Sequence, residues 1–181
     1  MPLPSDYIDA LNTLASAATR YRAETGGDMV LVGGGAVAIF TAGSFQSADF
    51  DLVAIMDDAF ERAMLAEGFL HESRLDHLLI GYYHPTHPTY GFQQVSGDLF
   101  DGMADRKRMV KLAVKAPGHI TLPSIEDMIA DRLGQHATAG PTDDSRLRQA
   151  RALFELAQTP DLEYLRRRIG DENGDPALLG L

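Results

Sequence analysis

The chain has 181 residues, a formal net charge of −10, an apolar fraction of 45% and a charged fraction of 23%. That is enough for one domain with a sizeable core, and no apolar run approaches the roughly 20 residues that span a bilayer. There is no cysteine, so disulfides and thiolate metal sites are excluded. The acidic balance also excludes nucleic-acid binding through the overall field and leaves only local basic patches. The opening MPLPSDYIDAL carries neither the basic nor the apolar region of a secretion signal, so a cytoplasmic protein with no membrane partner is expected.

In chain order, the spacing of Ile8, Leu11, Leu14, Ala15 and Ala18 predicts a helix over 5–23 with Ser5 as its N-cap. MVLV at 29–32 reads as a buried strand, 34–42 as a short helix ended by Gly43, and 49–56 as a second strand. A helix opens at Asp57 with acids in its first turn and stops at Gly68. HLLIGYYH (77–84), YGFQQVS (90–96) and RMVKLAVK (108–115) are rich in β-branched and aromatic residues and read as strands, with Pro85 and Pro88 in the connection between the first two. From Pro123 the pattern is helical. Ser124 and Asp127 suggest a capping box, a helix follows at about 143–158, another starts at Thr159-Pro160, and the tail looks frayed.

This order predicts an α/β (α+β) protein with a mixed sheet of about five strands and C-terminal helices. Residues 1–122 form the α/β core with its N-terminal helix, and 123–181 form a helical segment packed on it.

The stretch VLVGGGAVAIFTAGSFQSADFDLVAIM, residues 30 to 56, carries the chemistry. Gly33-Gly34-Gly35-Ala36-Val37-Ala38 matches the G-x-G-x-x-A of dinucleotide sites, with Asp51 at about the spacing of a ribose-binding acid. That acid should end its strand, whereas Asp49 and Asp51 begin theirs, so a dinucleotide-binding oxidoreductase is a distant third reading. On a strand, Asp49 and Asp51 point the same way while Phe50 and Leu52 point to the other face. Two neighbouring carboxylates call for cations, and Mg²⁺ (or Mn²⁺) arriving with nucleotide phosphates meets that need. A glycine turn at a helix start supplies N–H groups for the phosphates.

LVGGGAVAIFTAGSFQSADFDLV resembles the signature of the nucleotidyltransferase superfamily: strand, glycine pair, short helix, then acid-apolar-acid-apolar on the next strand. The pair is Gly34-Gly35 or Gly33-Gly34. SIEDMIADRLGQHATAGPTDDSRLRQARALFEL is similar in layout to the helical segment of small prokaryotic members of the AbiEii-toxin type. The resemblance implies a nucleotidyltransferase-like fold and Mg²⁺-dependent transfer of an NMP from an NTP to a hydroxyl on RNA, protein or a small molecule, with a possible toxin-antitoxin role and an antitoxin-like partner. It implies a nucleotide site at Gly33, Gly34, Gly35, Ser44, Ser47, Asp131 and Asp143 (or Asp144), metal binding by Asp49 and Asp51, and a catalytic set of Asp49, Asp51, Asp98 and Arg132. Arg132 stands where relatives place lysine; it clamps phosphate but is a poor base.

The family's third carboxylate belongs on YGFQQVSG, which offers the neutral Gln93 and Gln94, with Asp98 the nearest acid. Glutamine is no general base near neutral pH. A catalytically inactive binding or regulatory protein of the same fold is therefore the alternative. His84 and His87 read as exposed loop residues, and His71 and His77 likewise. The cations Arg106, Lys107, Arg108, Lys111 and Lys115, and the run Arg166-Arg167-Arg168, read as solvated faces.

Overall fold

A computed structural model describes residues 2–72, 81–114, 118–140 and 142–181. Helix α1 (Ser5–Thr25) leads to strand β1 (Val30–Val32), helix α2 (Gly33–Phe40), β2 (Asp49–Val53), helix α3 (Asp57–Ala66), β3 (Leu70–His71), β4 (Gly81–His84) and β5 (His87–Ser96). Two single-turn 3-10 helices, Leu99–Gly102 and Arg106–Arg108, precede β6 (Val110–Ala113) and β7 (His119–Leu122). Helices α4 (Ile125–Ala137), α5 (Ser145–Leu156) and α6 (Leu162–Asp171) follow, and a 3-10 turn at Pro176–Leu179 closes the chain.

The strands form one seven-stranded sheet in the order β3-β4-β5-β2-β1-β7-β6. The expected class holds, with two more strands than expected. β3 has two exposed residues and no readable period, while β7 is a four-residue run directly before the α4 cap. Residues 77–80 and Lys115 lie outside the described residues, as does His77. β1 and β2 are antiparallel although α2 joins them, so a βαβ dinucleotide unit is ruled out. β2 runs parallel to β5, with Asp49 opposite Gly91 and Asp51 opposite Gln93.

One face of the sheet carries the main core. Phe50 stacks on Phe92 at 4.8 Å, Phe69 meets Phe92 edge-on, and Tyr7 of α1 lies 4.9 Å from Phe50. α1 also ties down the start of α2 and the turn after β2. Tyr7 Oη donates to Gly35 O, and Tyr21 Oη accepts the N–H groups of Ile55 and Met56. On the other face Val30, Val32 and Val53 pack under Leu99 in a smaller cluster, which leaves the Asp51 end of β2 open. The alternation of faces along β2 is thus as expected.

Local corrections have local causes. Pro4, not Ser5, caps α1, because its carbonyl already accepts the Ile8 N–H. His84 and His87 are strand residues flanking a two-residue turn, not loop residues. His84 Nε2 sits 3.2 Å from Glu67 O and its ring meets Phe69, while His87 Nε2 lies 2.9 Å from Thr13 Oγ1. The tail is not frayed; Leu178, Leu179 and Leu181 pack on the core.

Ser124 does cap α4, its Oγ accepting the Asp127 N–H. The Asp127 side chain then organises the helical segment. It accepts from Ser124 Oγ at 2.7 Å, Tyr164 Oη at 2.9 Å and Arg168 Nε at 2.8 Å. Arg168 is fully buried rather than solvated, and it donates onward to Glu172 at 2.6 Å and Asp171 at 3.2 Å. Truncating one member of a buried pair strands the other charge, at a cost of about 3–5 kcal/mol. Arg168→Met should therefore lower the unfolding midpoint by roughly 6–20 °C for a chain of this size. The double variant with Asp127→Asn should recover part of that loss in thermal unfolding.

Candidate functional site

The glycine turn and the acids meet because β1 and β2 are neighbours. Gly33 opens α2 at φ +64°, in the region that favours glycine, and a Cβ there would overlap Asp51 Oδ2. A Cβ on Gly34 would stand 2.8 Å from Ser47 Oγ. A side chain at either position would force Asp51 or Ser47 to shift. No side chain caps α2, so its first N–H groups are free to meet a ligand.

A cleft of about 370 Å³ opens over this junction. Of the residues expected to form the site, Gly33, Gly34, Asp51, Asp98, Asp131 and Arg132 line it. Asp49 shares the strand face but is exposed at the open start of β2 and does not line the cleft. Gly35 is buried against Leu31 and the Asp49 carbonyl. Ser44 is an exposed turn residue behind α2, with its N–H on Thr41 O. Ser47 braces β2 by donating to Asp49 O and borders a separate hollow with Tyr7 and Tyr90. Asp143 accepts the Ser145 N–H at 2.9 Å at the start of α5, and these hydrogen bonds to Ser145 hold its carboxyl below the usual range.

Five polar lining residues were not foreseen: Ser96, Asp101, Gln135, Arg146 and Glu172. Asp101 reaches the cleft from a turn at φ +52°, and nothing in its sequence neighbourhood signals this. Glu172 belongs to the segment that reads as a frayed tail. Arg146 falls within the helical layout that carried the resemblance, yet only the packing of α5 on α4 brings it to the cleft. Arg132 is 2% exposed and paired with its neighbour Asp131, Nε to Oδ2 at 2.9 Å. Arg146 hydrogen-bonds the neutral Gln135 at 3.1 Å and makes no ion pair among the described residues, though its charge also acts on Asp143.

Gln93 Nε2 donates to Asp51 Oδ1 at 2.6 Å. The parallel register thus puts an amide where a third carboxylate would face Asp51. Gln94 points the other way, to Ala54 O and Asp57. Burial pushes the Asp51 carboxyl above its ordinary value of 3.8; the Gln93 hydrogen bond and Arg132 oppose that shift, and Asp49 and Asp131 add to it. Burial likewise raises Glu172 against the pull of Arg168.

The cleft is lined by five carboxylates and two guanidiniums, so a bare triphosphate would be repelled. Among the described residues no three histidines or acids stand close enough to cage a metal. The oxygen-only pair of Asp49 and Asp51 does fit a hard ion that brings phosphate and water ligands with it. Among the described residues, no helix is long and apolar enough to cross a membrane.

No family model matches the chain, and no curated protein does. Among solved structures, an antigenic nucleotidyltransferase-like protein from Paracoccidioides brasiliensis is similar over 94% of this chain and 89% of its own, at a TM-score of 0.62 and 16% identity. At that identity the likeness is one of architecture alone. The chain has the nucleotidyltransferase-like fold.

Proposed function

We propose that the cleft binds a nucleoside triphosphate together with Mg²⁺ (or Mn²⁺) and that the protein is of the nucleotidyltransferase kind. The observation that carries this is the contact of Gly33 with Asp51, a glycine-opened helix start set directly against a half-buried carboxylate. The N–H groups of Gly33 and Gly34 meet the phosphates, and Arg146, which makes no ion pair among the described residues, supplies a cation. Asp51, with Asp49 beside it on the same strand face at the open start of β2, would hold the ion, which would neutralise phosphate charge and polarise the α-phosphoryl group. In the transfer, an acceptor hydroxyl oxygen bonds to the α-phosphorus and the bond to the pyrophosphate oxygen breaks. The hydroxyl proton leaves to a base. The acceptor is a hydroxyl on RNA, protein or a small molecule, and the AbiEii-type layout of the helical segment supports an antitoxin-like partner.

A second reading rests on one bond. Gln93 sits on Asp51 and cannot take the hydroxyl proton. Asp98 and Asp131 line the same cleft, but neither makes a hydrogen bond to Asp51. The site then binds nucleotide with slow or no turnover, as a sensor or regulatory protein would.

Three outcomes test these readings. In thermal unfolding, one or more NTPs at about 100 times their Kd should add roughly 2.7 kcal/mol, a rise of about 5–11 °C, only when Mg²⁺ is present. No rise with any NTP would remove the cleft assignment.

Asp51→Asn should abolish that rise while stabilising the free protein at neutral pH. A carboxyl raised in the folded state carries its cost above its folded pKa. That cost shrinks as pH falls through the folded pKa and is gone below the ordinary value of 3.8. The gain over the parent should accordingly fade on acidification in a pH series of unfolding midpoints.

Gln93→Glu should destabilise the metal-free protein through repulsion from Asp51, and Mn²⁺ without nucleotide should restore it. If this variant also transfers label from α-³²P-NTP faster than the parent, the binding-protein reading of the natural chain is supported. If the parent is already the faster, that reading falls.

A further inference from the structure

The wall of the cleft changes character along β2. Beside Gly33 it is polar, with Asp51 within reach of the Arg132 charge. Val53 lies two residues further on, about 7 Å along the strand, with Ser96 of β5 as its partner. Val53, Val95 and Phe100 all line the cleft, and Phe100 packs on the cluster that holds Val53. Val95 is 36% exposed. An apolar stretch of wall is thus left uncovered in the free protein, and such a surface suits a planar ring.

Phe100 and Asp101 share one turn, at φ +48° and +52°, and Gly102 follows at φ +80°. The left-handed region is costly for a residue with a Cβ, and two in succession persist only where the surroundings hold them. The turn brings both side chains to the cleft. The Asp101 carboxylate makes no hydrogen bond and no ion pair among the described residues. Its electrostatic neighbour is another acid: burial is the main cause of the raised Glu172 carboxyl, and the charges of Asp131 and Asp101 add to it. The two cations that line the cleft are bonded elsewhere, Arg132 to Asp131 and Arg146 to Gln135.

A carboxylate only accepts hydrogen bonds, so the ligand edge that satisfies it must donate. Among the four bases, guanine alone offers two neighbouring donors, its N1–H and its 2-amino group, matched to the two oxygens of one carboxylate. Adenine and cytosine set a single amino donor beside a ring-nitrogen acceptor, and uracil sets one N–H between two carbonyls. Each of these brings an acceptor against the carboxylate.

We infer that the cleft selects guanine: the base lies against Phe100 and Val95, and Asp101 accepts its N1–H and 2-amino hydrogens. This rests on the nucleotide binding proposed above and adds to it the identity of the base and the residue that reads it.

The test is calorimetric titration of the full chain, with Mg²⁺ present, by GTP, ATP, CTP, UTP, inosine triphosphate and xanthosine triphosphate. Inosine lacks the 2-amino group of guanosine, and xanthosine has a carbonyl in its place. GTP should bind the parent at least about fivefold more tightly than ATP, CTP, UTP or inosine triphosphate, the lower bound for one two-pronged base contact. Asp101→Asn should bind GTP and inosine triphosphate alike and prefer xanthosine triphosphate, whose 2-carbonyl receives the new amide N–H. Asparagine tolerates the left-handed turn and Asp101 has no partner to lose, so the ligand-free variant should keep the parental unfolding midpoint. Loss of the Asp101 charge tightens every triphosphate alike, so the ratios between bases are the readout. The gain for xanthosine triphosphate is one that a merely structural role for Asp101 does not produce.

Equal binding of GTP and inosine triphosphate by the parent, tighter binding of another base, or a GTP preference unchanged in Asp101→Asn would each overturn the inference while leaving nucleotide binding in place. No binding by any of these nucleotides would remove the cleft reading and the inference with it.

Discussion

The site depends on where one carboxylate is held. Asp51 sits in the second strand from which the sheet grows in both directions, with β1 antiparallel on one side and β5 parallel on the other. From β1 comes the turn whose Gly33 lies against Asp51 Oδ2; from β5 comes Gln93, bonded to Oδ1. Each carboxylate oxygen is thereby positioned by a different neighbour. Burial makes its charge costly, which the free protein moderates with an amide hydrogen bond and a nearby guanidinium. A carboxylate held under that tension gains from any cation that reaches it, which is the physical basis of the proposal that the ligand arrives with a metal ion.

The helical segment acts on that carboxylate from a distance. α4 brings Asp131 and Arg132 over the β2 end, and α4 is itself anchored by the Asp127 and Arg168 pair to α6. Gly134 is part of the same fit: a Cβ there would stand 2.6 Å from Glu172 O, so only glycine lets the end of α6 close on α4. Because Glu172 lines the cleft, the packing of α6 and the charge of the site are set together. The buried Arg168 thus neutralises a group at the cleft wall while tying two helices.

Much of this was legible in the sequence. The acid-apolar-acid-apolar alternation placed Asp51 on the open face and Phe50 in the core, since a strand has only two faces. The neutrality of the position opposite Asp51 was also readable, and the parallel register identifies Gln93 rather than Gln94 as its occupant. Residues whose placement depends on tertiary packing were not legible. Arg146 reaches the cleft because α5 lies on α4, and Glu172 because α6 closes over Gly134. Arg168 reads as one of three surface arginines, and only the buried Asp127 distinguishes it from Arg166 and Arg167. Short strands such as β3 and β7 carry too few residues to show a period, which is why the sheet is wider than expected.

The central claim is that a metal-borne triphosphate sits in the cleft that Gly33, Gly34 and Asp51 line. Paramagnetic broadening of backbone amide signals by Mn²⁺ with a non-hydrolysable NTP addresses it most directly. The account predicts that the amides of Gly33, Gly34, Asp51 and Arg132 broaden first, that His119 and its strand are spared, and that Mn²⁺ alone broadens them far less. Broadening centred elsewhere, or the same pattern with Mn²⁺ alone, would contradict it.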